Sequence, residues 1–436
     1  MKKRFPGGIH PKEGPGGKAV TSACPIEVLP PPARVVIPMS QHIGAPCSPT
    51  VKVGDKVKIG QVIGEKTGFV SASIHASVSG TVKSISPCIL ANGTTVPSVC
   101  IDNDFKDEWI ELAPPPEDTP LSELCNMAGL VGLGGATFPT AVKVVPPKGT
   151  VIDTVILNGA ECEPYLSADH RLMLERPQDV LGGLRLIMAS LSAKSAYIGI
   201  EMNKPDAIGK LTELTKDDSN ITIVPLPVNY PQGGEKQLIY AVTKRTVPAG
   251  ALPSAVGCLV CNVGTSAALY KVKTTGQPVI DRVTTIAGRV ARPGNYLVRI
   301  GTQIADLIEA AGGILPEAKQ LIYGGPMMGM AINRTDIPVT KGCSGITIVA
   351  FDAMEEHESP CIRCGRCASV CPMLLMPTLI DHEARKRNFT EAERLGAMNC
   401  IECGSCTYVC PAKRSLTQSC RISKRMITAA RKKGGK

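Results

Sequence analysis

The sequence predicts several small domains of mixed α/β and α+β class, the last of them a short helical domain built around cysteines. The chain has 436 residues, which corresponds to about three or four domains of ordinary size. It contains 43 glycines and 36 prolines but only 3% aromatic residues. This composition favours turns and short strands over a long helical bundle. Two closely spaced cysteine runs lie near the C-terminus, at 361–371 and 400–410.

Short strand patterns separated by glycine turns occupy residues 51–85. The segments 53–57, 60–64 and 76–82 combine valine or isoleucine with glycine, as expected for short β-strands. Their spacing resembles a β barrel-sandwich hybrid domain of the biotinyl or lipoyl type, which we expect over residues 1–112. Such domains carry a prosthetic group on a lysine flanked by methionines, and this chain has no Met-Lys-Met sequence. The resemblance therefore implies a structural or docking role.

A proline-rich segment at 113–120 predicts a stiff linker. The domain expected after it, at 121–275, begins with a glycine-rich run over 129–135. Glycines let backbone N–H groups approach a phosphate or a planar ring closely, and Lys143 would add a positive charge beside them. The run is not a G-x-G-x-x-G dinucleotide fingerprint, because no strand pattern of the required kind precedes it.

A buried strand predicted at 151–157 leads into a polar loop, Asn158-Gly-Ala-Glu-Cys-Glu-Pro164. Polar residues at the end of a strand are where open α/β sheets bind ligands. The uncharged stretch 249–270 contains Pro253 and Gly257. We interpret it as a buried strand followed by a loop rather than as a membrane-spanning helix.

Residues 284–296 predict a strand, a turn and a second strand. A helix is predicted from Ile304 to Ala311, ending at the glycine pair that follows. We expect these elements in a domain at 276–350. The methionines of the segment 327–330 are interpreted as core packing.

The two cysteine runs share the pattern C-x2-C-x2-C-x3-C-P. In this pattern three cysteines bind one [4Fe-4S] cluster and the fourth binds the other. The ligands predicted for cluster 1 are Cys361, Cys364, Cys367 and Cys410, and those for cluster 2 are Cys400, Cys403, Cys406 and Cys371. Structural zinc would leave some of the spacings without a role, and a disulfide framework is typical of short secreted chains, whereas we identify no signal peptide.

Ten further cysteines are scattered along the chain. We interpret them as buried thiols of a reduced cytosolic or anaerobic protein. They are Cys24, Cys47, Cys88, Cys100, Cys125, Cys162, Cys258, Cys261, Cys343 and Cys420.

The formal net charge of +10 is concentrated at the chain ends. The basic tail at 421–436 contains seven lysines and arginines and no acidic residue. Two interpretations stay open: a solvated, disordered tail, or a segment that binds anionic lipid or an acidic partner. Nucleic acid is not expected as a partner, because aromatic residues do not alternate with the basic ones.

Four motifs together resemble the flavin- and NADH-binding subunit of respiratory complex I: the glycine run, the Asn-x-x-Glu-x-Glu-Pro loop, Gly233-Gly234-Glu235 and Cys261-Asn262-Val263. The resemblance implies an FMN site that includes Gly132, Gly134, Gly135, Lys143, Asn158, Gly234 and Asn262. It also implies that Glu161, Glu163 and Glu235 lie near the nicotinamide or its ribose, and that Glu163 and Lys143 are the catalytic residues. Leu133 and Ala160 depart from that family, which has an arginine and an acid there.

The order of these domains, beginning with Phe5-Pro-Gly-Gly-Ile-His-Pro11, resembles the C subunits of Rnf electron transport complexes over essentially the whole chain. This resemblance makes 276–350 a β-grasp (SLBB) domain and 351–420 a two-cluster bacterial ferredoxin domain. It implies an NAD-dependent oxidoreductase subunit that is peripheral to the cytoplasmic face of the membrane. Ferredoxin, an iron–sulfur subunit and membrane-embedded subunits are the implied partners, with coupling to Na+ or H+ transport.

The expected cofactors are FMN and two [4Fe-4S] clusters, with NAD(H) as substrate. A flavin exchanges electrons singly or in pairs, so it can join a hydride donor to one-electron clusters. Two alternatives stay open. The first is a soluble NADH-dependent flavin and iron–sulfur reductase acting on a corrinoid or similar acceptor. The second is an iron–sulfur conduit without flavin, in which Leu133 and Ala160 mark a lost cofactor site.

Overall fold

The computed structural model describes residues 4–351 and 357–434, with side chains described through Lys432. The end of the predicted basic tail and residues 352–356, at the start of the predicted ferredoxin domain, lie outside these ranges. Within them, the chain forms four β-sheets followed by a helical C-terminal region.

An N-terminal arm precedes the first sheets. It contains helix α1 (Lys18–Thr21) and strand β1 (Ile26–Val28). Strand β1 pairs in parallel with residues 295–297, far along the chain. The arm therefore joins a sheet whose other strands come much later in the sequence.

Residues 34–103 form two small antiparallel sheets, as the barrel-sandwich resemblance implies. Val35, Ile37, Ile63 and Ile101 are fully buried between them. The strands are β2 (Arg34–Pro38), β3 (Cys47–Pro49), β4 (Lys56–Val57), β5 (Val62–Lys66), β6 (Ile74–His75), β7 (Gly80–Ile89) and β8 (Thr95–Asn103). One sheet has the order β2-β8-β7-β4 and the other β3-β5-β6.

The next region contains a four-stranded parallel sheet with the order β11-β10-β9-β12. Its strands are β9 (Thr154–Gly159), β10 (Ser195–Glu201), β11 (Ile221–Leu226) and β12 (Cys258–Asn262). Its helices are α2 (Leu121–Met127), α3 (Thr140–Lys143), α4 (Ala168–Glu175), α5 (Pro177–Leu191), α6 (Pro205–Leu214), α7 (Glu235–Thr243) and α8 (Val263–Thr275). Because β9 and β12 are parallel neighbours, Asn158 and Asn262 lie side by side at their carboxyl ends.

The interpretation of 249–270 as a strand and a loop is wrong beyond Asn262. Strand β12 is followed directly by helix α8. The Asn262 side chain accepts a hydrogen bond from the Gly264 N–H at 2.8 Å and so caps that helix. The small polar residues of this stretch therefore begin a helix.

A six-stranded mixed sheet follows, with the order β1-β14-β13-β17-β15-β16. The predicted strand, turn, strand and helix are present, and the apolar face of the helix packs against the sheet through Ile304 and Leu307. The elements are β13 (Asp281–Gly288), β14 (Gly294–Arg299), α9 (Ile304–Ala310), β15 (Gln320–Tyr323), β16 (Met330–Ile332) and β17 (Gly345–Val349). The interpretation of the methionines as core residues is wrong for Met328 and Met330, which are 49% and 37% exposed.

The cysteine runs lie in a helical region. Its helices are α10 (Arg366–Ser369), α11 (Pro377–Arg385), α12 (Phe389–Arg394), α13 (Ser405–Tyr408) and α14 (Leu416–Gly434). Helices α11 and α14 pack together, and the buried Asp381 of α11 binds Arg414 and the Ser419 hydroxyl.

The alternative of a disordered tail is wrong for the described part of 421–436, which belongs to helix α14. Leu416, Cys420, Ser423 and Ile427 are buried along one face of this helix, at the spacing of an amphipathic helix. Apolar burial therefore orders a segment that its charges alone suggested was solvated. None of the helices in 4–351 and 357–434 has the length and hydropathy needed to cross a membrane.

Candidate electron-transfer site

The glycine run forms a closed loop above the carboxyl ends of the parallel strands. The Gly132 N–H donates to the Phe138 carbonyl at 2.9 Å, and the Leu133 N–H donates to the Thr265 hydroxyl at 2.9 Å. Gly134 and Gly135 are exposed at the tip. A Cβ atom at Gly134 would lie 2.8 Å from Asn262 Nδ2, so only glycine lets the loop lie this close to the strand end. The loop thus presents exposed backbone amides beside Asn262.

Asn158, at the end of β9, holds the Gly233-Gly234 turn. Its Nδ2 donates to the Gly233 carbonyl at 2.8 Å, and the Gly233 N–H donates to Cys162 Sγ at 3.2 Å. The structure therefore brings the Asn158 loop and the Gly-Gly-Glu motif together, although the two are far apart in the sequence.

Lys143 and Glu235 form an ion pair, with Lys143 Nζ 2.8 Å from Glu235 Oε1. Burial disfavours the charged ammonium, but the Glu235 carboxylate and the nearby Cys261 outweigh it, so the pKa of Lys143 lies above its ordinary value. Glu235 is the first residue of α7. The carboxylate thus keeps the Lys143 ammonium group protonated near the strand end that carries Asn262.

Glu161 caps helix α4. Its carboxylate accepts the Asp169 N–H at 2.7 Å and the His170 N–H at 3.1 Å. Asp169 in turn accepts a hydrogen bond from Asn262 Nδ2 at 2.6 Å. Burial, with the Glu161 carboxylate beside it, raises the pKa of Asp169 to about 7. Glu161 therefore fixes the base of the site, and its placement near the nicotinamide stays a prediction.

Glu163 points toward the β-grasp region. Its carboxylate accepts the N–H groups of Met327 at 3.1 Å and Met328 at 2.8 Å. Burial raises the pKa of Glu163 to about 7 even though these hydrogen bonds lower it. The residue thus links the polar loop to a neighbouring sheet, and its catalytic role stays a prediction.

Sequence reasoning missed two lysines that support the polar loop. Lys204 is almost wholly buried and donates to the Ala160 carbonyl at 2.7 Å. Lys18, from the N-terminal arm, donates to the Glu161 carbonyl at 2.6 Å. Neither lysine stands next to a motif in the sequence, so only the folded chain identifies them.

Gln232, which was also missed, is the strongest local indication of a bound group. It is 0% exposed, and both polar atoms of its side-chain amide lack a hydrogen-bond partner among the described residues. A buried amide without a partner is costly. Gln232 directly precedes Gly233-Gly234, so its position next to a motif could have identified it. The exposed loop amides, the ammonium group and this amide are suitable partners for the phosphate and ring of FMN.

The predicted ligands of cluster 2 line one cavity together. Its walls include Cys371, Cys400, Cys403 and Cys406. The Leu375 N–H donates to Cys371 Sγ at 3.4 Å, and the Glu402 N–H donates to Cys400 Sγ at 3.4 Å. Cys403 Sγ donates to the Ser405 hydroxyl at 3.4 Å, and the Thr417 hydroxyl lies 3.5 Å from Cys406 Sγ. The crossed ligation requires these four cysteines to meet at one place, as they do here, and their assignment to cluster 2 stays a prediction.

The predicted ligands of cluster 1 lie nearer the surface. Cys367 packs beside Cys410. Thr378 contacts one of these residues, since its hydroxyl lies 3.4 Å from Cys361 Sγ. Cys361 and Cys364 are exposed. Part of this set therefore lies at the surface, and its assignment to cluster 1 stays a prediction.

The loop of cluster 2 contacts the rest of the chain. The Tyr230 hydroxyl donates to the Cys403 carbonyl at 2.7 Å, and a Cβ atom at Gly404 would lie 2.9 Å from the Met327 carbonyl. In the equivalent loop of cluster 1, Ile362 is 66% exposed, and a Cβ atom at Gly365 would meet no described atom within 4 Å. The two clusters therefore have different surroundings, one covered and one open.

Of the ten other cysteines, seven are buried as expected, and Cys24, Cys88 and Cys162 are partly exposed. Burial raises the pKa of the Cys125 and Cys261 thiols, among others. Such thiols are unreactive.

These sites define a flavin and iron–sulfur electron-transfer protein. Four family models match the chain: the RnfC barrel sandwich hybrid domain at 3–106, the Nuo51 FMN-binding domain at 125–271, the SLBB domain at 283–331 and the 4Fe-4S dicluster domain at 353–411. The predicted fold class is thereby confirmed, and so are the expected FMN and [4Fe-4S] cofactors. The bounds predicted for the domains stay predictions.

Curated relatives match almost the whole chain. The C subunit of the proton-translocating ferredoxin:NAD+ oxidoreductase complex of Clostridium ljungdahlii is 46% identical, over 99% of this chain and 95% of the relative. The C subunit of the Na+-translocating ferredoxin:NAD+ oxidoreductase complex of Acetobacterium woodii is also 46% identical, over 99% of this chain and 98% of the relative. The chain therefore belongs to the family of C subunits of Rnf ion-translocating oxidoreductase complexes. A chain of an NAD+-reducing [NiFe]-hydrogenase aligns with a TM-score of 0.47 at 18% identity, over 71% of this chain and 60% of that chain.

Proposed function

We propose that this protein reacts with NAD(H) and transfers electrons between NAD(H), FMN and its two [4Fe-4S] clusters, within a membrane-bound ferredoxin:NAD+ oxidoreductase complex. The observation that carries the proposal is the hydrogen bond between Tyr230 and Cys403, which joins the candidate flavin site to the loop of cluster 2. A two-electron site and a one-electron site are thus adjacent within one chain.

FMN, when bound, supplies the exchange between paired and single electrons. The residues of this chain bind and orient it in the proposal. The exposed amides of the glycine loop and the Lys143 ammonium bind its charged groups, while Glu235 keeps Lys143 protonated. Asn158 holds the Gly233-Gly234 turn, and Glu163 closes the site against the β-grasp region through two backbone amides. We propose Lys143 and Glu163 as the residues closest to the reaction.

The remaining predicted residues line the same site in this proposal. Gly132, Gly134 and Gly135 form the loop, Asn262 and Glu161 form its floor, and Gly234 and Glu235 form the opposite wall. What supports this assignment is the pair of hydrogen bonds that Asn262 makes, one to the α8 N-terminus and one to Asp169, which is itself bound to Glu161.

Cluster 2 is the cluster next to the flavin in this proposal, and cluster 1 is the exit. Cluster 2 is covered by Tyr230 and Met327, whereas the cluster 1 loop is exposed at Ile362 and Cys364. Electron transfer to another protein needs a cluster near the surface. Arg363 and Arg366 flank this loop, so we propose that an acidic iron–sulfur subunit docks there.

We further propose that the protein is peripheral to the cytoplasmic face of the membrane. Membrane-embedded subunits of the complex would be its neighbours, and ferredoxin would exchange electrons with it through the complex. What supports this is the family membership, together with the exposed basic residues of α14, which suit an anionic surface.

An anaerobic NADH titration of the full chain, reconstituted with iron, sulfide and FMN, tests the proposal. Visible absorbance follows the flavin and EPR follows the clusters. NADH should bleach the flavin and then produce reduced-cluster signals. If clusters form and FMN binds but NADH reduces neither, the reaction with NAD(H) is excluded. If FMN does not bind, the chain is an iron–sulfur conduit.

A further inference from the structure

A fifth cysteine lies at cluster 2. Cys420, on helix α14, is 1% exposed and lines the same cavity as the four predicted ligands. Cys400 packs against the apolar cluster that contains Cys420, and Cys371 and Cys406 line the same cavity. It stands outside the C-x2-C-x2-C-x3-C-P pattern, so the predicted ligand set is complete without it.

The internal repeat explains why this position faces a cluster. Thr378 and Thr417 stand at the same place after the Cys-Pro pair of each run. Thr378 contacts the ligand Cys361, and Thr417 contacts the ligand Cys406. One helical turn further on, the first repeat has Asp381 and the second has Cys420.

Asp381 can be compared with Cys420, because it lines a surface cavity together with Cys361 and Thr378. Its carboxylate is bound by Arg385 and Arg414. The same helical position thus lines a cavity with a predicted cluster ligand in both repeats, as a carboxylate paired with two arginines in the first and as a thiol in the second.

We propose that Cys420 is a positioning residue which donates an S–H hydrogen bond to the Cys400 sulfur and thereby raises the reduction potential of cluster 2. Reduction adds one electron, and so one negative charge, to the cluster and its thiolates. A donor to a ligand sulfur stabilises the more negative state, and such hydrogen bonds are among the factors that set cluster potentials. The thiol keeps its proton, and no bond forms or breaks. The inference rests on the cluster 2 part of the proposed function and not on the reaction with NAD(H).

Three variants of the full chain test this inference. Cys420→Ala removes the donor, and Cys420→Ser keeps one of similar size. Cys100→Ala is the matched control, because Cys100 is a buried thiol in the barrel-sandwich strand β8. Each protein is reconstituted anaerobically, its iron content is measured, and both clusters are titrated by EPR against a series of redox mediators.

We expect all three variants to keep the iron of two [4Fe-4S] clusters. In Cys420→Ala, the reduction potential of cluster 2 should be lower. At the wild-type midpoint potential, the ratio of reduced to oxidised cluster 2 should therefore fall about three- to tenfold, where a tenfold change corresponds to about 59 mV for one electron. Cluster 1 should be unchanged, and Cys420→Ser and Cys100→Ala should titrate like the wild type.

An unchanged cluster 2 potential in Cys420→Ala with full iron content would overturn the inference. So would the loss of one cluster from both Cys420 variants, because the thiol would then be a ligand. A wild-type chain that binds the iron of only one cluster would instead contradict the assignment of the two clusters. Iron content and potential therefore separate the two failures.

Discussion

Lys143 is the one cationic residue among the predicted FMN residues, and it lies near the strand ends. Its ion-pair partner, Glu235, belongs to a different helix. We expect Lys143→Ala to weaken FMN binding by about tenfold or more, because a hydrogen bond to a charged group contributes about 1.5 to 3 kcal/mol. A fluorescence titration with FMN measures this. Lys148→Ala, at an exposed neighbouring lysine, is the control, and equal affinities in the two variants would exclude a contact between Lys143 and FMN.

Glu163 should make the stability of the chain depend on pH. Burial raises its pKa from 4.5 to about 7, so the folded chain holds a proton that the unfolded chain has already lost. The stabilisation from this group is complete below about pH 4.5 and is lost as the pH rises through about 7. In Glu163→Gln, the fall in unfolding free energy between pH 5 and pH 8 should be smaller by up to about 3 kcal/mol.

Denaturant unfolding at several pH values, compared between wild type and Glu163→Gln, measures that difference. The comparison also removes the contribution of Asp169, whose pKa is raised in the same direction. Parallel pH profiles would show that the Glu163 carboxyl titrates normally in the folded chain.

At the scale of elements, the glycine loop depends on its close approach to strand β12. We expect Gly134→Ala to displace the loop, because the added Cβ atom would lie 2.8 Å from Asn262 Nδ2. The FMN retained after gel filtration should fall, while the iron content stays the same. Gly209→Ala is the control, since a Cβ atom there meets no described atom within 4 Å and the residue lies inside helix α6. Equal FMN retention in both variants would contradict the loop assignment.

The N-cap of helix α8 contributes to the stability of the fold, independently of FMN binding. Asn262→Ala should lower the unfolding free energy by about 1 to 2 kcal/mol, because it removes the cap and leaves Asp169 without its amide donor. Chemical denaturation of the chain without FMN measures this. Asn220→Ala, at an exposed turn, should be close to neutral, and a neutral Asn262→Ala would contradict the capping role.

Elements also show what the sequence could and could not predict. The cysteine ligands are recognised by their spacing within two short segments, so both sets could be predicted directly from the sequence. The meeting of Asn158 with Asn262 depends on β9 and β12 being neighbours, which no local pattern specifies. Helices α8 and α14 were missed because small polar residues and a run of positive charges concealed their buried faces. Gln232, Lys18 and Lys204 were missed because their role depends only on tertiary contacts.

At the scale of the whole molecule, the covered side of cluster 2 is where the regions of the chain meet. Residues 8 and 9 of the N-terminal arm bind the Val370 and Tyr230 carbonyls. The Gln237 amide donates to the Met373 sulfur at 3.1 Å. The flavin and cluster regions are therefore held together by several contacts, among them the hydrogen bond from the Tyr230 hydroxyl to the carbonyl of a predicted cluster ligand.

Tyr230→Phe tests whether this contact supports electron transfer. We expect NADH to reduce the flavin at the wild-type rate and the clusters to be reduced about fivefold more slowly, because the lost hydrogen bond contributes about 1 kcal/mol to the alignment of the two regions. Stopped-flow absorbance separates the two phases. Tyr408→Phe, at a half-exposed tyrosine of α13, is the control. Slower flavin reduction would place Tyr230 in the NADH step instead.

The pairing of β1 with β14 has a consequence for synthesis. Ile26–Val28 leaves the ribosome long before Asn295–Leu297, its partner in the sheet. Strand β1 of the arm therefore has no pairing partner while the barrel-sandwich and flavin regions are being synthesised, although domains generally fold as they emerge. An unpaired strand can associate with other chains. The nascent chain thus carries an unpaired strand throughout the interval between these two segments.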